Sequence, residues 1–163
     1  MDEVNHPADD PAPGRPPGAP EDVDYGALDG LLGYALRRAQ LRLYEDFARA
    51  MEDSGLTPQL FAALVLVRRN PGLSQTRLGE ALGIARSGAM TVTDRLQALG
   101  LVERRAVDGD RRRHGLHLTA KGRRALPRLL ERVRAHDARI ARALDDDERA
   151  TLRTLLDRIA PGG

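Results

Sequence analysis

Apolar residues recur at helical spacing along most of the chain from Leu28 onward. Leu31, Leu32, Ala35, Leu36, Ala39, Leu43 and Phe47, with Tyr34 and Tyr44 among them, predict a long first helix over 28–51, closed by Gly55. Two dozen residues at ~1.5 Å each give about 36 Å, long for a small domain. A helix apolar over so much of its circumference calls for partners on more than one side, its own domain and plausibly a second subunit. Thr57-Pro58 opens a second helix as N-cap and first helical residue, with Leu60, Phe61, Leu64, Val65 and Val67 inside, and Asn70-Pro71-Gly72 stops it. Ser74 caps a short helix carrying Leu78 and Leu82 on one face, and Gly83 ends it. Ala89, Val92 and Leu96, with Thr93 alongside, mark a further helix from Arg86 to Leu99, closed by Gly100.

The pattern then shortens. Leu101–Arg105 and His114–Leu118 have the length of strands, and Asp108-Gly109-Asp110 makes a hairpin tip between them. Thr119 caps a helix over about 120–143 whose apolar face is Leu126, Leu129, Leu130, Val133, Ile140 and Leu144. Pro127 inside it implies a bend or a late start. Asp145-Asp-Asp147 places negative charge at the start of a last helix, where the dipole favours it, and Leu152, Leu155, Leu156 and Ile159 form its stripe. The fold class expected is mainly α with a small β-hairpin wing. Its parts are an acidic, Pro-rich arm (1–24), a first helix (25–54), a winged helix-turn-helix domain (55–119) and C-terminal helices (120–163).

Charge gives this frame a partner. Residues 1–30 hold eight Asp/Glu against Arg15, whereas the remaining 133 hold 25 Lys/Arg against 16 Asp/Glu. The arm cannot bury enough apolar surface to order itself, so it is read as disordered, either a solvated leader or a competitor for a basic face. The basic body suits a polyanion. Within 86–124 there are ten Lys/Arg against four Asp/Glu. Two short helices joined by a Gly turn make a helix-turn-helix. The second helix offers Arg86, Ser87, Met90, Thr91 and Asp94 with Arg95 at its edge, residues that reach bases or phosphates from a major groove. Ser74, Gln75 and Thr76 open the first helix, and Arg111, Arg112 and Arg113 follow the hairpin tip, within reach of a minor groove. Arg95 has two readings, DNA contact or a pair with Asp110 or another wing acid. Arg111 and Arg113 are phosphate contacts or spare charge.

Gly-Leu-Val-Glu-Arg-Arg at 100–105, Asp110-Arg-Arg at 110–112 and Leu118-Thr-Ala-Lys-Gly122 resemble the winged-helix core of the MarR (multiple antibiotic resistance) regulators. The resemblance extends over roughly 28–160. It implies that the helix opened by Thr57-Pro58 supports the helix-turn-helix, that Arg112 enters the minor groove and Asp110 orients it, and that the N- and C-terminal helices form a dimer interface. A dimer would also set two recognition helices one helical turn apart, matching a palindromic operator in double-stranded DNA. Gly88 within the recognition helix, and Thr91 where the family often has Arg, depart from the pattern and bear on which bases are read. The family further implies a small-molecule effector, often an aromatic acid, in a cleft between platform and winged domain. Tyr34, Arg38, Tyr44, Phe47 and Phe61 are the residues placed to line it, or else simply core and solvated charge. Leu32-Gly-Tyr-Ala-Leu-Arg-Arg-Ala-Gln40 resembles the first helix of members that control aromatic-acid catabolism, some of them responsive to CoA thioesters.

Other chemistries are disfavoured. The chain has no Cys and no Trp, so thiol catalysis, disulfides and cysteine oxidation are out. No apolar run approaches a membrane span and no signal pattern opens the chain, so a cytoplasmic protein without a membrane partner is expected. His114 and His117 would point to opposite faces of a strand, a poor start for a metal site. His136 has no visible partner, and no catalytic constellation is evident, so neither enzyme nor cofactor is expected. The function expected is a dimeric, sequence-specific DNA-binding transcriptional regulator, a repressor relieved by a small ligand. The alternatives are a sequence-tolerant structural DNA-binding protein and a winged-helix protein-interaction module.

Overall fold

The computed structural model describes residues 20, 22–107 and 110–159, and the side chains of all of these except 107 and 110–113. The chain divides into two compact units, Met1–Tyr44 and Glu45–Gly163. A 3-10 turn, Gly26–Gly30, precedes α1 (Leu32–Ala50). The first helix is therefore shorter than the 28–51 expected. Leu31 takes extended backbone at the junction, and a separate 3-10 turn, Glu52–Ser54, ends in left-handed Gly55.

The second unit holds α2 (Pro58–Arg69), α3 (Gln75–Leu82), α4 (Arg86–Ala98), β1 (Val102–Val107), β2 (Asp110–Leu118), α5 (Ala120–Ile140) and α6 (Asp146–Asp157). The caps act where the residue types place them: Thr57 Oγ1 accepts from Leu60 N, Ser74 Oγ from Arg77 N, and Thr119 Oγ1 from Gly122 N. Asp145 and Glu148 form a reciprocal capping box at α6. Because Thr119 caps α5 at Ala120, Pro127 sits inside the helix rather than delaying its start.

The two strands pair antiparallel from Val102↔Leu118 to Ala106↔His114, with an irregularity before Val107↔Asp110. Both run longer than the sequence implied, and the tip at 108–109 lies outside the described residues. Leu73 adds a bridge to Leu116, closed by Gly72 N donating to Leu116 O and Leu116 N to Leu73 O, each at 2.9 Å. This crossing needs Gly115, since a Cβ there would lie 2.7 Å from both Cα and O of Gly72.

One core joins these elements. Leu64, Leu78 and Leu96 are fully buried at its centre, with Leu116 of β2 and Met51 beside them. Leu126 and Leu129 of α5 belong to the same cluster. The first half of α5 is therefore part of the winged unit's own core. By contrast Leu152, Leu155 and Leu156 on α6 and Ile159 just after it are exposed, as are Leu28, Leu31, Leu32 and Leu41 within the first unit.

Candidate nucleic-acid interface

Three neighbours hold α4 in place. Against α3 it approaches closely: a Cβ on Gly79 would sit 3.2 Å from the Ala89 Cβ. Gly83 makes the turn between them at φ 63°. Thr93 is fully buried, and its hydroxyl donates to Ala89 O at 2.8 Å, so no polar atom is stranded.

The C-terminal end of α4 is held by the Leu118–Gly122 motif. Thr119 donates through Oγ1 to Gly100 O and through N to Leu101 O, and Lys121 Nζ donates to Leu99 O at 2.8 Å. Leu99 O is the C-cap carbonyl that the helix end leaves orphaned, and Gly100 O and Leu101 O belong to the turn that follows. Gly122 is required because a Cβ would lie 2.1 Å from Leu101 O.

The third tie runs to the wing. Arg104 of β1 donates Nη2 to Asp94 Oδ1 at 2.6 Å and Nη1 to Gln97 Oε1. Arg95, which the sequence offered as a wing partner, forms no ion pair among the described residues, and the side chain of Asp110 lies outside them. The helix-to-hairpin clasp that is described therefore runs from Asp94 to Arg104, a pair the sequence reading missed. Its signal was Asp94 three residues before Gln97 on α4, with a cation on the paired strand.

Arg86, Ser87, Met90, Thr91 and Arg95 all stand exposed on α4, Met90 at 48%. An unbranched thioether so exposed, flanked by Arg and hydroxyl residues, offers apolar contact beside hydrogen-bond donors. Thr91 Oγ1 donates to Ser87 O at 3.2 Å. At the start of α3, Ser74 and Gln75 are half-buried and Thr76 is exposed. Gln75 Nε2 is buried without a hydrogen-bond partner among the described residues. Arg111, Arg112 and Arg113 fall on β2 by backbone, but their side chains, like that of Asp110, lie outside the described residues.

The residues expected around an effector fall into two groups. Tyr34 and Arg38 form a cluster with Tyr25 in the first unit, the Arg38 guanidinium carbon lying 5.5 Å from the Tyr25 ring centroid and 5.8 Å from that of Tyr34. Hydrogen bonding to Tyr34 and Tyr25 raises the Arg38 pKa above its ordinary value, and its Nε is buried without a partner among the described residues. Tyr44 is exposed. Phe47 and Phe61 meet in the second unit with centroids 6.3 Å apart, Phe47 only 4% exposed in the core.

His136 is buried and does have a partner: its Nδ1 lies 2.7 Å from Asp46 Oδ2, and its ring meets Phe47 edge-on at 5.5 Å. Arg139 donates two bonds to the same carboxylate. These donors, Arg139 first and His136 next, hold the Asp46 carboxyl well below the usual carboxylate range. As an acceptor-only carboxylate, Asp46 takes the His136 Nδ1–H. Among the described residues no cluster of His and acids could hold a metal ion, and no helix is long and apolar enough to cross a membrane.

The MarR family profile matches residues 54–113, the segment that contains α2, α3, α4, β1 and the start of β2. A protein named for transcriptional regulation of the hcr operon in Thauera aromatica is 39% identical over 136 residues, 83% of this chain and 82% of its own length. The chain belongs to the MarR family. Among solved structures, this MarR-family chain is similar to the transcriptional repressor CouR bound to a 23-mer DNA duplex. They share 41% identity and a TM-score of 0.79, over 86% of this chain and 99% of that one. CouR bound to p-coumaroyl-CoA matches at 38% identity and a TM-score of 0.78, over 87% and 100%. The winged helix-turn-helix class and the family expected from the sequence both hold.

Proposed function

We propose that this MarR-family regulator is a dimeric, sequence-specific DNA-binding repressor whose operator binding is relieved by a small anionic ligand, and that it works in the cytoplasm. The observation that carries the DNA-binding reading is the exposed α4 face, Arg86, Ser87, Met90, Thr91 and Arg95, on a helix fixed to its hairpin through Asp94 and Arg104. On this reading α4 enters a major groove, while Ser74, Gln75 and Thr76 at the start of α3 meet the phosphates alongside. Arg111, Arg112 and Arg113 follow the wing into the neighbouring minor groove, Asp110 orienting Arg112. The exposed apolar residues of α6, and separately those before Tyr44, supply the surface that a second copy would cover. The division into an arm, a first helix, a winged domain over 55–119 and C-terminal dimerisation helices belongs to the same proposal.

For the effector, the support is the Tyr25–Arg38–Tyr34 cluster of the first unit, a cation beside two phenol rings with an N–H unsatisfied among the described residues. An aromatic acid or an acyl-CoA would match that chemistry, and the similar repressor CouR has been seen with p-coumaroyl-CoA. The test selects a duplex by its retention on the purified wild type from genomic fragments, then titrates that duplex with wild type, Arg86→Ala and Arg112→Ala. Loss of about 1–3 kcal/mol per contact is expected. Unchanged affinity in both variants would sink this docking.

A further inference from the structure

Between positions 45 and 139, Met90 is the one large apolar side chain left exposed among the described residues, at 48%. The other exposed large apolar residues described lie before 45 or after 139. Nor is Met90 a stray member of the core. Ala89, Val92, Thr93 and Leu96 form the buried face of α4, and Met90 projects outside it.

Its neighbours on the outer face narrow what it can meet. Arg86 stands one turn before it and Asp94 one turn after. Asp94 is an acceptor-only carboxylate already engaged by Arg104 Nη2 at 2.6 Å. Thr91 donates its hydroxyl to Ser87 O at 3.2 Å, so its proton points into the helix rather than outward. The thioether of Met90 brings no donor of its own. From Met90 to Asp94 the outer face therefore presents apolar surface and acceptors. The donors sit at Arg86 and Ser87 on the N-terminal side and at Arg95 on the edge.

Base edges in a major groove respond differently to such a surface. Guanine shows two acceptors there, N7 and O6, and covering them without a donor strips their water for nothing in return. Thymine is the base whose edge carries an apolar group, the C5-methyl. An unbranched, polarisable side chain can follow that methyl as it packs. Resting on the DNA-binding reading above, we propose that Met90 reads thymine, packing its Sδ–Cε end on the C5-methyl group of one thymine in each operator half-site. Arg86, one turn earlier, meets a neighbouring base pair or phosphate, so the helix reads one position by charge and the next by shape.

The test starts from a duplex that the purified wild type retains from genomic fragments. Each thymine of its shared half-site is replaced in turn by deoxyuridine, in both half-sites together. Uracil keeps the base pair and O4 and removes only the methyl group. Burying one methyl is worth about fourfold in affinity, so at one thymine position the paired replacement should raise the wild-type Kd about fifteenfold. Met90→Ala should lose at least as much on the thymine duplex and nothing further when that thymine becomes uracil. Met90→Leu, which keeps an apolar end, should keep most of the discrimination. Met90 lies outside the core cluster, so both variants should melt with the wild type.

A wild type indifferent to uracil at every thymine overturns the proposal. So does Met90→Ala that discriminates as strongly as wild type, because another group then reads the methyl. Either result on a tightly bound palindrome strikes the role of Met90 and leaves the repressor reading standing. Retention of fragments without a shared motif removes both.

Discussion

Gly122 and Gly88 look alike in sequence, two glycines at or within helices, and the structure gives them opposite meanings. At Gly122 a methyl group would strike the Leu101 carbonyl, so Gly122→Ala is expected to destabilise the fold by about 1–3 kcal/mol, seen as a lower urea midpoint. At Gly88 the nearest atom to an added Cβ is 3.5 Å away, an ordinary contact with Ile84. Gly88→Ala should therefore stabilise by about 0.5–1 kcal/mol, read in the same experiment. If Gly88→Ala weakens DNA binding while stabilising the protein, the flat site at 88 serves a close approach to DNA rather than the fold. Asp46 carries a pH signature. Its carboxyl is held below the usual range in the folded state, so its contribution is fully present above the unfolded carboxylate pKa and is lost as pH falls through the folded one. The stability gap between wild type and Asp46→Asn should be constant near neutrality and shrink below about pH 4. A gap that widens with acid would contradict the assignment.

At the scale of elements, much is legible in the sequence alone. Helix caps at Thr57, Ser74 and Thr119 act as their residue types imply, because capping is local chemistry between a hydroxyl and an N–H three residues on. The Leu118–Gly122 motif was legible only as a resemblance. Its physical content, donors for the carbonyl end of α4, joins residues about 20 apart and cannot be seen in a periodicity. The same holds for Asp94–Arg104 and for Asp46–His136, which are 10 and 90 residues apart. The helix start at Leu32 rather than Leu28 was hidden because the apolar spacing continues through the 3-10 turn. The Asp94–Arg104 clasp makes a separable prediction. Asp94 is largely exposed, so Asp94→Ala should change stability by no more than about 1 kcal/mol. Duplex affinity should nevertheless fall severalfold, since the hairpin loses its register on α4. Equal affinity would show that the wing is held by its sheet alone.

For the whole molecule, two properties set the account: a basic winged unit and apolar helix faces that the single chain leaves uncovered. The second of these should be visible in hydrodynamics. Leu152→Glu with Leu156→Glu places charge on the exposed α6 stripe and should convert a dimer to a monomer in sedimentation, with the winged unit still folded, because its core contains neither residue. A wild type that sediments as a monomer at micromolar concentration would remove the dimer from the account. The most direct test of the central claim is retention of genomic fragments by the purified protein, followed by sequencing of what is kept. A dimeric, sequence-specific repressor should retain fragments that share a palindrome whose half-sites are centred about one helical turn, 10–10.5 base pairs, apart. Retention of fragments that share no motif, falling uniformly as salt is raised, would contradict it and mark a sequence-tolerant DNA-binding protein.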